Sequence, residues 1–112
     1  MARADRLERL DAQRQYLEVE YRKTLEAALQ STAAGTWGLF DHRQDRLERA
    51  AIAPVIETLE ELGEKLDAIR EQLFMEPFAL HHDFMATRGP VKSSAVGEPK
   101  QARAWLERLK SY

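Results

Sequence analysis

The chain has 112 residues with 17 Lys and Arg against 19 Asp and Glu, a net charge of −2. That size indicates one domain, and the near-neutral balance argues against a general electrostatic nucleic-acid binder. There is no cysteine, which excludes disulfides, thiolate metal sites and a cysteine nucleophile. Met1–Leu10 lacks the apolar stretch of a secretory signal, and no window reaches the ~18 apolar residues of a membrane span, so the default placement is the cytoplasm.

Residues 4–34 contain neither Gly nor Pro and are rich in Leu, Ala, Glu, Arg and Gln, all good helix formers. At 100° per residue, Leu7, Leu10, Leu17, Tyr21, Leu25, Ala28 and Leu29 share one face. Ala12, Tyr16, Val19 and Ala27 make a weaker apolar line on the opposite side, which hints at a second contact. Gly35 follows the last periodic residue, where a left-handed C-terminal cap is expected. The stretch Thr36-Trp37-Gly38-Leu39-Phe40 then connects two long helices, and five residues suit an antiparallel hairpin. Its large apolar side chains read as a plug over the bundle end, or as an exposed tip carrying interface aromatics; the tendency of apolar clusters to be buried favours the plug.

The second helix is expected over about 41–75, with Asp41 and Gln44 at capping-box spacing and Asp45 and Glu48 as a competing start. Ile52, Val55, Leu59, Leu62, Leu66, Ile69 and Leu73 alternate spacings of three and four, an unbroken heptad seam. Pro54 lies inside it, and since Ala53 is a poor cap, a kink in a continuous helix is the expectation, with two abutting helices as the alternative. Pro77 ends the segment. Residues 78–86 predict one helical turn or two. Residues 87–99 have the composition of a loop or linker. Over 100–112 a short amphipathic helix follows, with Ala102, Trp105, Leu106, Leu109 and Tyr112 on one face, and it must dock because three turns are marginal alone.

These elements give an all-α fold: a helical hairpin over 1–86, a linker, and a short C-terminal helix. Two apolar ridges can cover only each other; the C-terminal helix can fill one groove edge, and the expectation is that a second chain fills the other and completes a bundle by dimerisation, the alternative being a compact three-helix monomer. The dimer or bundle seam comprises Ile52, Val55, Leu59, Leu62, Leu66, Ile69 and Leu73 with Leu10, Leu17, Tyr21 and Leu25.

Chemistry is sparse. His81, His82 and Asp83 cluster locally, with His42 and Glu76 elsewhere, but no Glu-x-x-His or H-E-x-x-H spacing is present, so neither a metal nor another cofactor is expected. No nucleophile elbow, P-loop or dinucleotide fingerprint occurs, so the chain reads as non-enzymatic. The expectation is a helical protein–protein interaction module, an adaptor or regulator, whose partners are a second copy and another protein. Trp37, Phe40 and Trp105 are the candidate contacts. The alternative is a small nucleic-acid-associated protein using Lys92, Lys100, Arg103, Arg108 and Lys110 around Trp105.

Overall fold

A computed structural model of the chain describes residues 2–36, 38–40, 46–88 and 97–112. Four helices follow in order: α1 (Ala2–Ala33), α2 (Arg46–Gln72), α3 (Ala79–Ala86) and α4 (Glu98–Leu109). There is no strand among the described residues, and no described helix is long and apolar enough to cross a membrane. The body measures 57 × 27 × 21 Å. α1 is its spine, with α2 and α4 packed along it and α3 folded against α2.

The helix ends follow from backbone chemistry. α1 closes in a Schellman turn, with Thr36 N donating to Ser31 O at 3.1 Å and Gly35 N to Thr32 O at 3.0 Å. Gly35 takes φ 125° there, a conformation that costs glycine little. The expected cap is therefore present. α2 runs unbroken through Pro54. Pro54 and Ala50, whose carbonyl loses its helical donor, both lie on the exposed side of the helix, and Thr58 Oγ1 donates to the Pro54 carbonyl at 3.0 Å. The missing bond thus falls where water can replace it. Asp41, Gln44 and Asp45, the expected capping residues of α2, lie outside the described residues, as does the side chain of Glu48.

The heptad seam is a bundle seam within one chain. Ile52, Leu59, Leu66 and Ile69 are buried, and Val55, Leu62 and Leu73 half-buried. On α1, Leu17, Tyr21 and Leu25 are buried and Leu10 half-buried. The ridges are thus covered largely from within one chain, which corrects the expectation that a second chain is what covers them. Residues 78–86 form a two-turn helix that delivers Phe78, Leu80 and Phe84 to the core, and α4 adds Ala102, Trp105 and Leu109. Two short amphipathic helices from the same chain thus fill the groove edges that a bare hairpin would leave wet.

The cover is uneven along the rod. From Leu17 onward the inward face of α1 is closed, whereas residues 3–9 are exposed at every position.

Candidate interaction surface

The closed half of the molecule is fixed by buried polar contacts. Glu98, in the first turn of α4, is fully buried. Its carboxylate accepts from the Gly38 amide at 3.0 Å and the Phe40 amide at 2.8 Å. Backbone N–H groups of a turn converging on one carboxylate form a charge-assisted nest that ties the 38–40 turn to α4. Arg88 Nε donates to the Leu39 carbonyl at 2.7 Å. Leu39 and Phe40 are fully buried, with Phe40 edge-on to Phe84 at 5.8 Å, so at these two positions the turn is a plug. Trp37 lies outside the described residues.

A second buried contact joins α3 to α1. The Tyr21 hydroxyl and His81 Nδ1 share a hydrogen bond of 2.7 Å, and the imidazole lies against Gly63 on α2, where a Cβ would come within 2.5 Å of three ring atoms. Burial, reinforced by the neighbouring His82, pushes the His81 pKa down, against the opposing pull of Asp67, Glu60 and Glu64. Burial together with the Asp67 charge pushes the Tyr21 hydroxyl up. Both groups are therefore held neutral. His82 turns the other way, its Nε2 2.6 Å from Asp67 Oδ2, and Asp67 Oδ1 accepts from the Phe78 amide at 2.8 Å. The two histidines serve separate partners, and no group of three or more His, Asp or Glu gathers as an ion site among the described residues. His42 lies outside them.

Phe40 and Trp105, two of the candidate partner anchors, are core residues instead. Trp105 is buried and edge-on to Phe84 at 5.5 Å, stacked on Tyr112, with the Arg108 guanidinium 4.4 Å from its ring centre. An aromatic so enclosed cannot serve as an exposed contact. The basic groups around it are largely engaged: Arg103 donates to the Ala33 carbonyl, Arg108 pairs with Asp83, and Lys110 with Glu107. Lys92 lies outside the described residues. A cleft of about 310 Å³ between Val19, Phe78, Leu80 and Tyr112 is flanked by Arg22 and Arg70. Both arginines serve the fold. Arg22 caps α4 through the Leu109 and Tyr112 carbonyls, each at 2.9 Å, and Arg70 binds Glu18 and the Glu76 carbonyl.

The unfilled apolar surface lies at the opposite end. α2 also closes in a Schellman turn, Met75 N donating to Arg70 O at 2.8 Å and Phe74 N to Glu71 O at 3.1 Å. The left-handed position that Gly35 fills after α1 is here filled by Phe74, at φ 58° and 91% exposed. Its neighbours Leu73 and Met75 line an open groove of about 470 Å³ with Leu7, Glu8, Asp11 and Ala12 of α1. Leu7 is 38% exposed; Tyr16 and Val19, of the second stripe, are also exposed. Tyr16 and Val19 were legible as an outer line, whereas Phe74 falls outside every periodicity and only the backbone reveals it. Comparison with known proteins finds no matching family model, curated protein or solved structure.

Proposed function

We propose that the chain is a non-enzymatic helical interaction module that self-associates through the open end of its hairpin, where Leu7, Leu73 and Met75 line a groove and Phe74 stands exposed between the latter two. It acts as an adaptor or regulator, by occupying a surface rather than transforming a substrate. Phe74 carries the reading. A bulky residue in the left-handed region costs about 1–2 kcal/mol relative to glycine, and this one recovers nothing by burial within its own chain. Strained residues concentrate at sites of use, and docking an exposed Phe returns about 2 kcal/mol. Aromatic anchors of this kind dominate interface energies.

Replacing Phe74 separates fold from function. Phe74→Gly raises the unfolding free energy by about 1 kcal/mol because the strain is relieved. The same change weakens self-association, read by sedimentation equilibrium against the single-chain mass of 12.9 kDa. Wild-type protein that sediments as one chain at tens of micromolar, or a Phe74→Gly variant that associates as well as wild type, overturns the proposal.

A further inference from the structure

We infer that the groove at the open end of the hairpin receives a basic amphipathic helix from another protein. The inference goes beyond self-association and names the chemistry of a second partner. α1 contributes Leu7, Glu8, Asp11 and Ala12 to the groove, and the closing turn of α2 contributes Leu73 and Met75. At 3.6 residues per turn, Glu8, Asp11 and Ala12 stand about 100°, 40° and 140° round α1 from Leu7, so the four residues share one strip of the helix. Further along, the same strip carries Arg22, Glu26 and Gln30, which line a crevice with Leu106 and Leu109 of α4. The groove thus continues the line that α4 follows in the closed half. One helix position beside α1 is filled by the chain itself at one end and open at the other, and a helix is the shape that packs there.

Charge selects the occupant. Two carboxylates line the groove, Glu8 and Asp11, and no Lys or Arg does. Asp11 already receives Arg14 Nε at 2.8 Å and Gln15 Nε2 at 2.9 Å. Glu8 forms no ion pair among the described residues, and neither does Glu76, exposed beside Met75. The neighbouring arginines are turned to other work. Arg6 lies on the other side of Leu7 from Glu8 and reaches Gln72 Oε1 at 3.3 Å, and Arg14 is held by Asp11 and Glu18. An apolar floor with unpaired carboxylates at its rim complements a helix whose apolar stripe is flanked by Lys or Arg. An acidic helix would set like charge against Glu8 and Glu76. Met75, with its flexible thioether, and Phe74, 91% exposed, supply apolar contact at the mouth.

The test titrates the full chain into a fluorescein-labelled helical peptide of about 14 residues, about four turns, with Leu along one face and Lys elsewhere. Fluorescence anisotropy in about 50 mM salt reads the affinity. One peptide is expected to bind per chain, and more weakly as salt rises. The same peptide with Glu in place of every Lys is expected to bind at least about tenfold more weakly, as is the lysine peptide to Glu8→Lys/Glu76→Lys. Glu57→Lys/Glu61→Lys reverses two exposed carboxylates in the middle of α2, away from the groove, and is expected to bind as wild type does. No saturable binding by wild type overturns the inference. So does equal affinity for the glutamate peptide, an unaffected Glu8→Lys/Glu76→Lys variant, or an equal loss in Glu57→Lys/Glu61→Lys. Sedimentation of the chain alone keeps the two readings apart. A wild-type monomer that binds the lysine peptide retains this inference without self-association, and a dimer that ignores the peptide retains self-association without it.

Discussion

Helix propensity and packing make opposite predictions for Gly63→Ala. Gly63 sits inside α2, where alanine is ordinarily worth up to about 1 kcal/mol over glycine. Here the added Cβ would come within 2.5 Å of three atoms of the His81 imidazole. The ring has no easy retreat: its Nδ1 is bonded to the Tyr21 hydroxyl at 2.7 Å, and it lies edge-on to Tyr21 and to His82, both at 5.3 Å. Overpacking of this kind costs about 1–3 kcal/mol. A displaced imidazole also breaks the buried bond to Tyr21, about 1–3 kcal/mol more. After the propensity gain, the net loss is on the order of 3 kcal/mol, or a fall in Tm of some 10–20 °C for a domain near this size. Urea unfolding followed by far-ultraviolet circular dichroism at pH 8 measures it. In a His81→Ala background the penalty should vanish or become a gain, since the colliding ring is gone. A Gly63→Ala variant at least as stable as wild type would refute the packing argument and leave propensity in charge.

The buried polar groups give three more expectations, checked by the same unfolding measurement. Glu98→Ala strips the acceptor from the Gly38 and Phe40 amides and costs about 3 kcal/mol, while Glu98→Gln, which keeps one acceptor oxygen, costs less. Thr32 is fully buried with its Oγ1 unpaired among the described residues, so the isosteric Thr32→Val gains about 1 kcal/mol. For His81, burial holds the folded-state pKa below its ordinary 6.5. The unfolded chain therefore binds the proton first: the stabilising contribution is complete above that value and is lost as pH falls through the folded-state pKa. Wild type is expected to lose more stability between pH 7 and pH 5 than His81→Gln. Equal slopes would place the imidazole in water.

Periodicity carried the sequence reading a long way, because α1 and α2 are long enough for a 3.6-residue repeat to stand out. Gly35 was legible as a cap for the same local reason. What stayed hidden was set by contacts distant in sequence or by backbone geometry without a residue signature. Glu98 reads as one more solvated carboxylate in a helix's first turn. Only its meeting with amides some sixty residues away makes it a buried strut. His81 stands out in the sequence only as part of a local His-His-Asp cluster, and the glycine that admits its ring lies eighteen positions upstream on another helix. With Pro77 as the nearest stop signal, the sequence carries α2 as far as about residue 75. The helix stops at Gln72 in a turn whose usual marker, glycine, is missing. Among the candidate anchors, Phe40 and Trp105 failed for a general reason: a large aromatic is as good a core residue as an interface residue, and composition does not tell the two apart.

The unequal halves of the rod make physical sense together. In the closed half, contacts between distant segments fix a single arrangement: Glu98 to the 38–40 turn, Tyr21 to His81, Arg22 to the end of α4. These polar partners are costly to leave unpaired, so alternative packings of the same greasy faces are disfavoured. α1 passes through this half and continues outward without interruption. Helix nucleation is the expensive step and propagation the cheap one, so residues 3–9 inherit their order from turns that are already packed. They are built from Arg, Ala, Leu, Asp and Glu, of which all but Asp favour helix. A surface displayed in this way is pre-organised: a second chain that docks there need not spend its binding energy on folding it. On the proposed self-association, the buried contacts of one half set the affinity available to the other, and a core variant such as Gly63→Ala weakens pairing only to the extent that it unfolds α1.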